Sequence, residues 1–97
     1  MDEVLVRLHV LIDGRVQGVG FRYFVLEKAN LLRVEGWVRN TLSGQVEVTA
    51  EGNQDSLSNF LDYLKRGPNM AYVTDIQLTW LPATGEFAGF EIKSSWI

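Results

Sequence analysis

Three glycines and two arginines within nine residues, Gly14-Arg15-Val16-Gln17-Gly18-Val19-Gly20-Phe21-Arg22, are the part of this 97-residue chain best equipped for chemistry. Gly14, Gly18 and Gly20 open positive φ to the backbone and remove side chains from its inner wall. Successive N–H groups can then converge on one anion at a helix N-terminus, where unbonded donors and the helix dipole both favour negative charge. Arg22, in the first helical turn, adds a planar fork of donors that matches two oxygens of one phosphate. A cation at that point opposes the dipole, so it wants an anionic partner. The chemistry on offer is phosphate binding. A plain glycine-rich strand-to-helix turn with an exposed arginine would carry the same residues. Neither common nucleotide loop is present: Phe21-Arg22-Tyr23 follows Gly20 without the third glycine of a dinucleotide fingerprint, and no Gly-Lys-Ser/Thr follows Gly14.

The flanking elements must position that loop. Val4 to Asp13 alternates, with Val4, Val6, Leu8, Val10 and Ile12 on one face and Arg7 and His9 on the other, which predicts a half-buried strand. His9, the one histidine, falls mid-strand on the polar face and reads as a surface residue rather than a base. Phe21, Phe24, Val25, Ala29 and Leu32 recur at helical spacing, with Phe24 and Leu32 expected in the core. Val34 to Asn40 and Gln45 to Glu51 read as strands joined by a short hairpin loop closed by Gly44, with Val46, Val48 and Ala50 inward. A second helix carries its own punctuation: Asn53 as N-cap, Asp55 in the first turn, Leu57, Phe60, Leu61 and Leu64 as the buried stripe, Lys65 and Arg66 in the last turn, and Gly67-Pro68 as the stop. Thr74 to Leu81 predicts a strand with Ile76, Leu78 and Trp80 on one side. After a loop from Pro82 to Gly89, Phe90 to Lys93 predicts a short final strand.

The order β-α-β-β-α-β, with one strand to spare, specifies an α+β ferredoxin-like sandwich: an antiparallel sheet with two helices on one face. The first β-α-β crossover makes strands one and two parallel, and strand three can fit between them. The C-terminal ends of strands one and two then share one edge of the sheet. The glycine loop, Arg22 and Asn40 are thereby expected at a single pocket.

Composition bounds the rest. Residues 1–97 are expected to form one domain, large enough for one core without staples. Cysteine is absent, which removes disulfides, thiolate metal sites and a cysteine nucleophile and fits a reducing, cytoplasmic setting. No apolar run reaches membrane-spanning length, and Met1-Asp2-Glu3 does not begin a signal peptide. A net charge of −3 argues against a general nucleic-acid binder, so any anion site must be local.

Gly14-Arg15-Val16-Gln17-Gly18-Val19-Gly20-Phe21-Arg22 and Gly36-Trp37-Val38-Arg39-Asn40, followed by Gly44-Gln45-Val46-Glu47-Val48 and Gly52, closely resemble the two signature motifs of the acylphosphatases. The resemblance extends through Gly67-Pro68 to Gly85-Glu86-Phe87-Ala88-Gly89-Phe90-Glu91-Ile92. It implies hydrolysis of carboxylic–phosphoric mixed anhydrides, with Arg22 and Asn40 as the catalytic residues. It also implies a phosphate-binding loop of Arg15, Val16, Gln17, Gly18, Val19, Gly20 and Phe21. No cofactor or metal is expected. The expected partners are a small acyl phosphate and inorganic phosphate as product and inhibitor, with no nucleic acid, no membrane and a monomeric chain. Trp37 and Arg39 read as structural residues of the sheet face. One position departs from the pattern: a glycine often ends the family's first helix, and Arg33 stands there. Two rival readings remain. One is an acylphosphatase-like domain of a hydrogenase maturation protein, against which the absence of further modules after Ile97 is counted. The other is a ferredoxin-like RNA-binding module, against which the acidic balance is counted.

Overall fold

A computed structural model describes residues 4–95. Seven elements follow one another: β1 (Leu5–Arg15), α1 (Phe21–Leu32), β2 (Glu35–Asn40), β3 (Val46–Asn53), α2 (Gln54–Arg66), β4 (Tyr72–Pro82) and β5 (Phe90–Ile92). The sheet order is β4-β1-β3-β2-β5, with β5 parallel to β2 and the other pairings antiparallel. The expected ferredoxin-like fold is present, and the short last strand closes the free edge of β2. Gly36 donates to the Gly89 carbonyl at 2.9 Å and Lys93 to the Val38 carbonyl at 2.9 Å. Among the described residues no helix is long and apolar enough to cross a membrane.

Register decides which residues form the core. Leu8 faces Ala50, Val10 faces Val48, Ile12 faces Val46, and Val38 faces Val48 from the other side. Directly opposed residues share a face, and all of these are fully buried under Val25 and Ala29 of α1 and Leu57, Phe60 and Leu64 of α2. The Asn53 side chain accepts a hydrogen bond from the Ser56 amide at 2.8 Å, capping α2 as its sequence predicts. Five apolar residues are less buried than the core they border, and of these Phe24 and Leu32 were expected inside it. Val4 precedes β1 and is 79% exposed. Phe24 and Leu32 are half-buried, because Phe21, Val25 and Ala29 form the inward line of α1. Leu78 and Trp80 share the helix-side face by register with Val10 and Leu8, yet each is 39% exposed, because β4 is an edge strand with one flank open.

The opposite face of the sheet carries charge. Glu51 is buried between the Arg7 Nε at 2.7 Å and the amides of Thr84 at 2.8 Å and Gly85 at 2.9 Å. Arg7 also binds Glu86 and stacks on Phe87, so one carboxylate ties the 83–89 segment over the sheet. Burial pushes the Glu51 carboxyl up, but the amide bonds and Arg7 outweigh it and hold it below the usual range. A depressed carboxyl contributes stability above its unfolded-state pKa and loses it as pH falls through the folded value. Glu51→Gln is therefore expected to destabilise by about 1–3 kcal/mol at neutral pH, with the gap to the parent closing in urea melts taken below the ordinary carboxylate range.

Arg33 is the one described non-glycine residue with positive φ, at 57° with ψ 39°. Val34 donates to the Ala29 carbonyl at 3.0 Å and Arg33 to that of Asn30 at 3.3 Å, the pair of bonds that defines a Schellman cap. A left-handed side-chain-bearing residue costs about 1–2 kcal/mol, and glycine's extra chain entropy costs about 0.5–1 kcal/mol. Arg33→Gly should then stabilise the fold by about 0.5–1 kcal/mol, read from denaturant melts. A less stable variant would count against strain at this cap.

Candidate active site

The candidate site begins where β1 leaves the sheet. The β1–β4 register shifts between Asp13 and Gly14, a bulge that ends the regular ladder. Gly14 has φ 126°, and a Cβ there would sit 2.1 Å from the Tyr72 carbonyl oxygen, so only glycine fits. Arg15, paired with Tyr72, is exposed at the strand end. The loop that follows is pinned at both ends by core side chains, Val16 and Phe21, which are 1% and 2% exposed. Between them Gly18 and Gly20 adopt φ 73° and 77° at the surface, with nothing within 4 Å of where a Cβ would stand.

Gly20 occupies the N-cap of α1 with no side-chain cap, and the first turn carries no acidic residue. Phe24 is the first residue whose amide closes onto this cap, donating to the Gly20 carbonyl at 3.1 Å. The helix start thus presents free donors and an uncompensated dipole. Half-buried Arg22 joins them in the first turn. Among the described residues no carboxylate pairs with it.

Asn40 is the last residue of β2, on the helix side of the sheet two residues after core Val38. Its Oδ1 is buried and accepts no hydrogen bond among the described residues. An unsatisfied buried acceptor costs about 1–3 kcal/mol, a cost that a ligand or bound water donating to it removes. β1 and β2 both run antiparallel to β3, so their C-terminal ends meet at one edge, as the topology predicts. A bond absent from the sequence reading joins the two. The Gln17 side chain donates to the Thr41 carbonyl at 2.9 Å and to the Gln45 carbonyl at 2.8 Å, the two ends of the hairpin loop after Asn40. The Gln45 side chain in turn donates to both Asp13 oxygens at 3.0 and 3.2 Å. Extending the β1–β3 register one step past Ile12 and Val46 would have placed Gln45 opposite Asp13; nothing in the sequence signals the Gln17 clamp.

His9 lies outside this constellation. Its Nε2 is 2.7 Å from Glu47 Oε2, while Arg39 donates to Glu47 Oε1 at 2.7 Å and stacks over Trp37. Burial pushes the Glu47 carboxyl up, and the bonds with His9 and Arg39 outweigh it and hold it low. These groups occupy the face of the sheet away from Asn40. His9 is part of a structural ion cluster, with a carboxylate partner that local spacing did not reveal. Trp37 and Arg39 are sheet-face residues, as expected.

The sequence profile of the acylphosphatases matches residues 8–92 of this chain. The chain belongs to the acylphosphatase family. It is 47% identical over 91 residues to the acylphosphatase of Moorella thermoacetica, covering 94% of this chain and 97% of that protein. It superposes on the crystal structure of acylphosphatase from Bacillus subtilis with a TM-score of 0.88 and 40% identity, covering 91% and 98% of the two chains. It also resembles one part of full-length HypF in its phosphate- and nucleotide-bound form, with a TM-score of 0.89 and 29% identity over 98% of this chain and 13% of that one. Membership in the acylphosphatase family makes the chain an enzyme.

The Gln17 clamp is testable by itself. Gln17→Ala removes one donor from each of two carbonyls that keep a backbone partner, the Thr41 N–H donating to Gln45 at 2.9 Å and the Gly44 N–H to Thr41 at 3.3 Å. It should destabilise by about 0.5–1.5 kcal/mol per bond lost. Amide hydrogen exchange should accelerate in segments 16–20 and 41–45 together. Gln17→Glu, which cannot donate to either carbonyl when ionised, should behave the same way. Acceleration confined to one of the two segments would show that they are not coupled through this side chain.

Proposed function

We propose that the chain hydrolyses acyl phosphates by in-line attack of a water held by Asn40 on a phosphoryl group held by Arg22 and the amides of the 15–21 loop. One observation carries this reading: an uncapped helix start, an arginine without a carboxylate and a buried amide oxygen without a donor lie at a single sheet edge. Membership of the acylphosphatase family supports acyl phosphate hydrolysis in general.

The sparse machinery suits the chemistry. The water oxygen bonds to phosphorus while the bond from phosphorus to the acyl oxygen breaks, releasing a carboxylate and inorganic phosphate. A carboxylate leaves readily, so no strong general acid is required. Catalysis is then a matter of position and of stabilising charge on the equatorial oxygens, which face the loop amides and Arg22. The Asn40 carbonyl oxygen accepts one hydrogen from the attacking water and aims its lone pair at phosphorus. The water's proton goes to a phosphoryl oxygen or to solvent. No metal or cofactor enters this reaction, because the loop and Arg22 supply the positive charge. In this reading the chain is a single-domain cytoplasmic monomer that acts on a small molecule, with phosphate as product and competitive inhibitor. The lack of cysteine supports the compartment.

The likeness to one part of full-length HypF favours a second reading, in which the chain acts as an acylphosphatase-like module of a larger protein. Turnover of benzoyl phosphate in the presence of a metal chelator decides for the free-standing, metal-independent hydrolase; no turnover under those conditions counts against it. The two residues should then separate kinetically. Arg22→Gln should weaken phosphate inhibition, because its charge is missing from the ground state, and lower kcat, because its hold on the equatorial oxygens is stronger in the transition state. Asn40→Ala should lower kcat by about 10²-fold or more through lost positioning, with the inhibition constant of phosphate nearly unchanged. A loss of phosphate affinity in Asn40→Ala equal to that in Arg22→Gln would make Asn40 a phosphate ligand instead.

A further inference from the structure

In-line displacement fixes where the leaving group departs. It lies across phosphorus from the attacking water, which in the proposed reaction sits on the Asn40 side. Asn40 ends β2, two strands from β1 in one direction, about 10 Å away at the usual strand spacing. In the other direction β1 has only β4 beside it, with Arg15 paired to Tyr72. The direction away from Asn40 therefore leads to the start of β4 and the 67–71 segment before it. Gly67 of that segment lies against the loop's own anchor: a Cβ on it would come within 2.6 Å of the Phe21 ring.

A groove of about 450 Å³ opens there between α1 and α2. Its floor is aromatic, with Phe24 edge-on to Tyr63 at 6.4 Å between ring centres. Its charge is of one sign. Lys28 Nζ stands 4.7 Å from the centre of the Tyr63 ring and the Arg66 guanidinium carbon 5.0 Å from it, with Asn69 alongside. Among the described residues no carboxylate lines the groove, although the chain carries a net charge of −3. Arg66 makes no ion pair among the described residues, and Lys28 has only the outward-facing Glu27 at 3.5 Å, itself 72% exposed. Arg66 also complements the C-terminal end of α2, whereas Lys28 sits in mid-helix and has no such role. Lys28 is seven residues beyond Phe21, about 10 Å along α1, and helical side chains lean back toward the N-terminus, here toward the loop.

We propose that this groove is the subsite for the acyl part of the substrate, and that Lys28 and Arg66 select acyl phosphates whose acyl chain ends in a second anionic group. The proposal deepens the acyl phosphate reading and rests on it for the direction of departure. The chain would pack on Phe24 and Tyr63 while its terminal anion meets the two cations, which are already held over one ring.

The test compares succinyl, acetyl and benzoyl phosphate on the parent enzyme and on Lys28→Met, Arg66→Met and the double variant. Partly exposed charge contacts are each worth about 0.2–1 kcal/mol, so kcat/KM of the parent should rank succinyl over acetyl phosphate by about three- to tenfold. The preference should shrink with added salt and fall to near unity in the double variant, with benzoyl phosphate turnover unchanged. A parent without the preference, a preference that survives in the double variant, or equal losses on all substrates would overturn the proposal. A binding arm decides independently of turnover. By calorimetry 4-phosphonobutyrate should bind the parent more tightly than pentylphosphonate, with the difference lost in the double variant; equal affinities in the parent overturn the subsite. Failure to turn over benzoyl phosphate would instead refute the hydrolase reading, leaving the phosphonate comparison to judge the groove.

Discussion

The antiparallel pairing of β3 to two strands at once is the constraint on which the rest of this structure depends. β3 is hydrogen-bonded to β1 along Leu5–Ile12 and to β2 along Glu35–Asn40, so β1 and β2 must run the same way and end at the same edge. The glycine loop, attached to one strand, and Asn40, attached to the other, have no freedom to be anywhere else. Register on β3 also sets the face. A slip of one residue would turn Asn40 away from the helices and bring charged Glu47 into the core. The full burial of Val46, Val48 and Ala50 makes such a slip expensive.

Charge is disposed so that two arginines of the open sheet face are already committed. On the open face Arg7 is taken by Glu51 and Glu86, and Arg39 by Glu47. Arg22 has no carboxylate partner among the described residues, and it stands beside a helix start that no side chain caps. An acidic chain thereby keeps a small region of positive potential at the loop, and a low-dielectric wall of buried Val16 and Phe21 stands behind it. Selectivity for an anion here comes from local geometry, since the net charge works against it.

Much of the fold was legible because each signal had a single local cause. Alternation on β1 and β3, the Asn53 cap and Gly67 stop of α2, and the glycines before α1 each depend on neighbours within a few residues. The misfit of Arg33 was legible only through the family resemblance, in which a glycine often ends the first helix. What escaped was set across the sheet. Glu47 reaches His9 from another strand, and Gln17 finds carbonyls more than twenty residues away. The partial exposure of Phe24, Leu32, Leu78 and Trp80 follows from their places at the margins of layers, which periodicity does not encode. At the candidate site, the glycine loop, Arg22 and Asn40 could be named from motif and topology. The clamp that joins them could not.

The strand order has a kinetic consequence. Only β2 and β3 are neighbours in both chain and sheet, joined through the 41–45 turn. Every other pairing closes a long loop, and Leu8 must find Trp80 before the β1–β4 ribbon exists. Loop closure costs entropy before the contacts it enables return any, so a sheet wired in this way assembles slowly for its size. It also has no early sub-assembly that holds both the glycine loop and Asn40, because their meeting requires β3 to have captured β1. The proposed phosphate site therefore forms no earlier than the long-range pairing of β1 with β3.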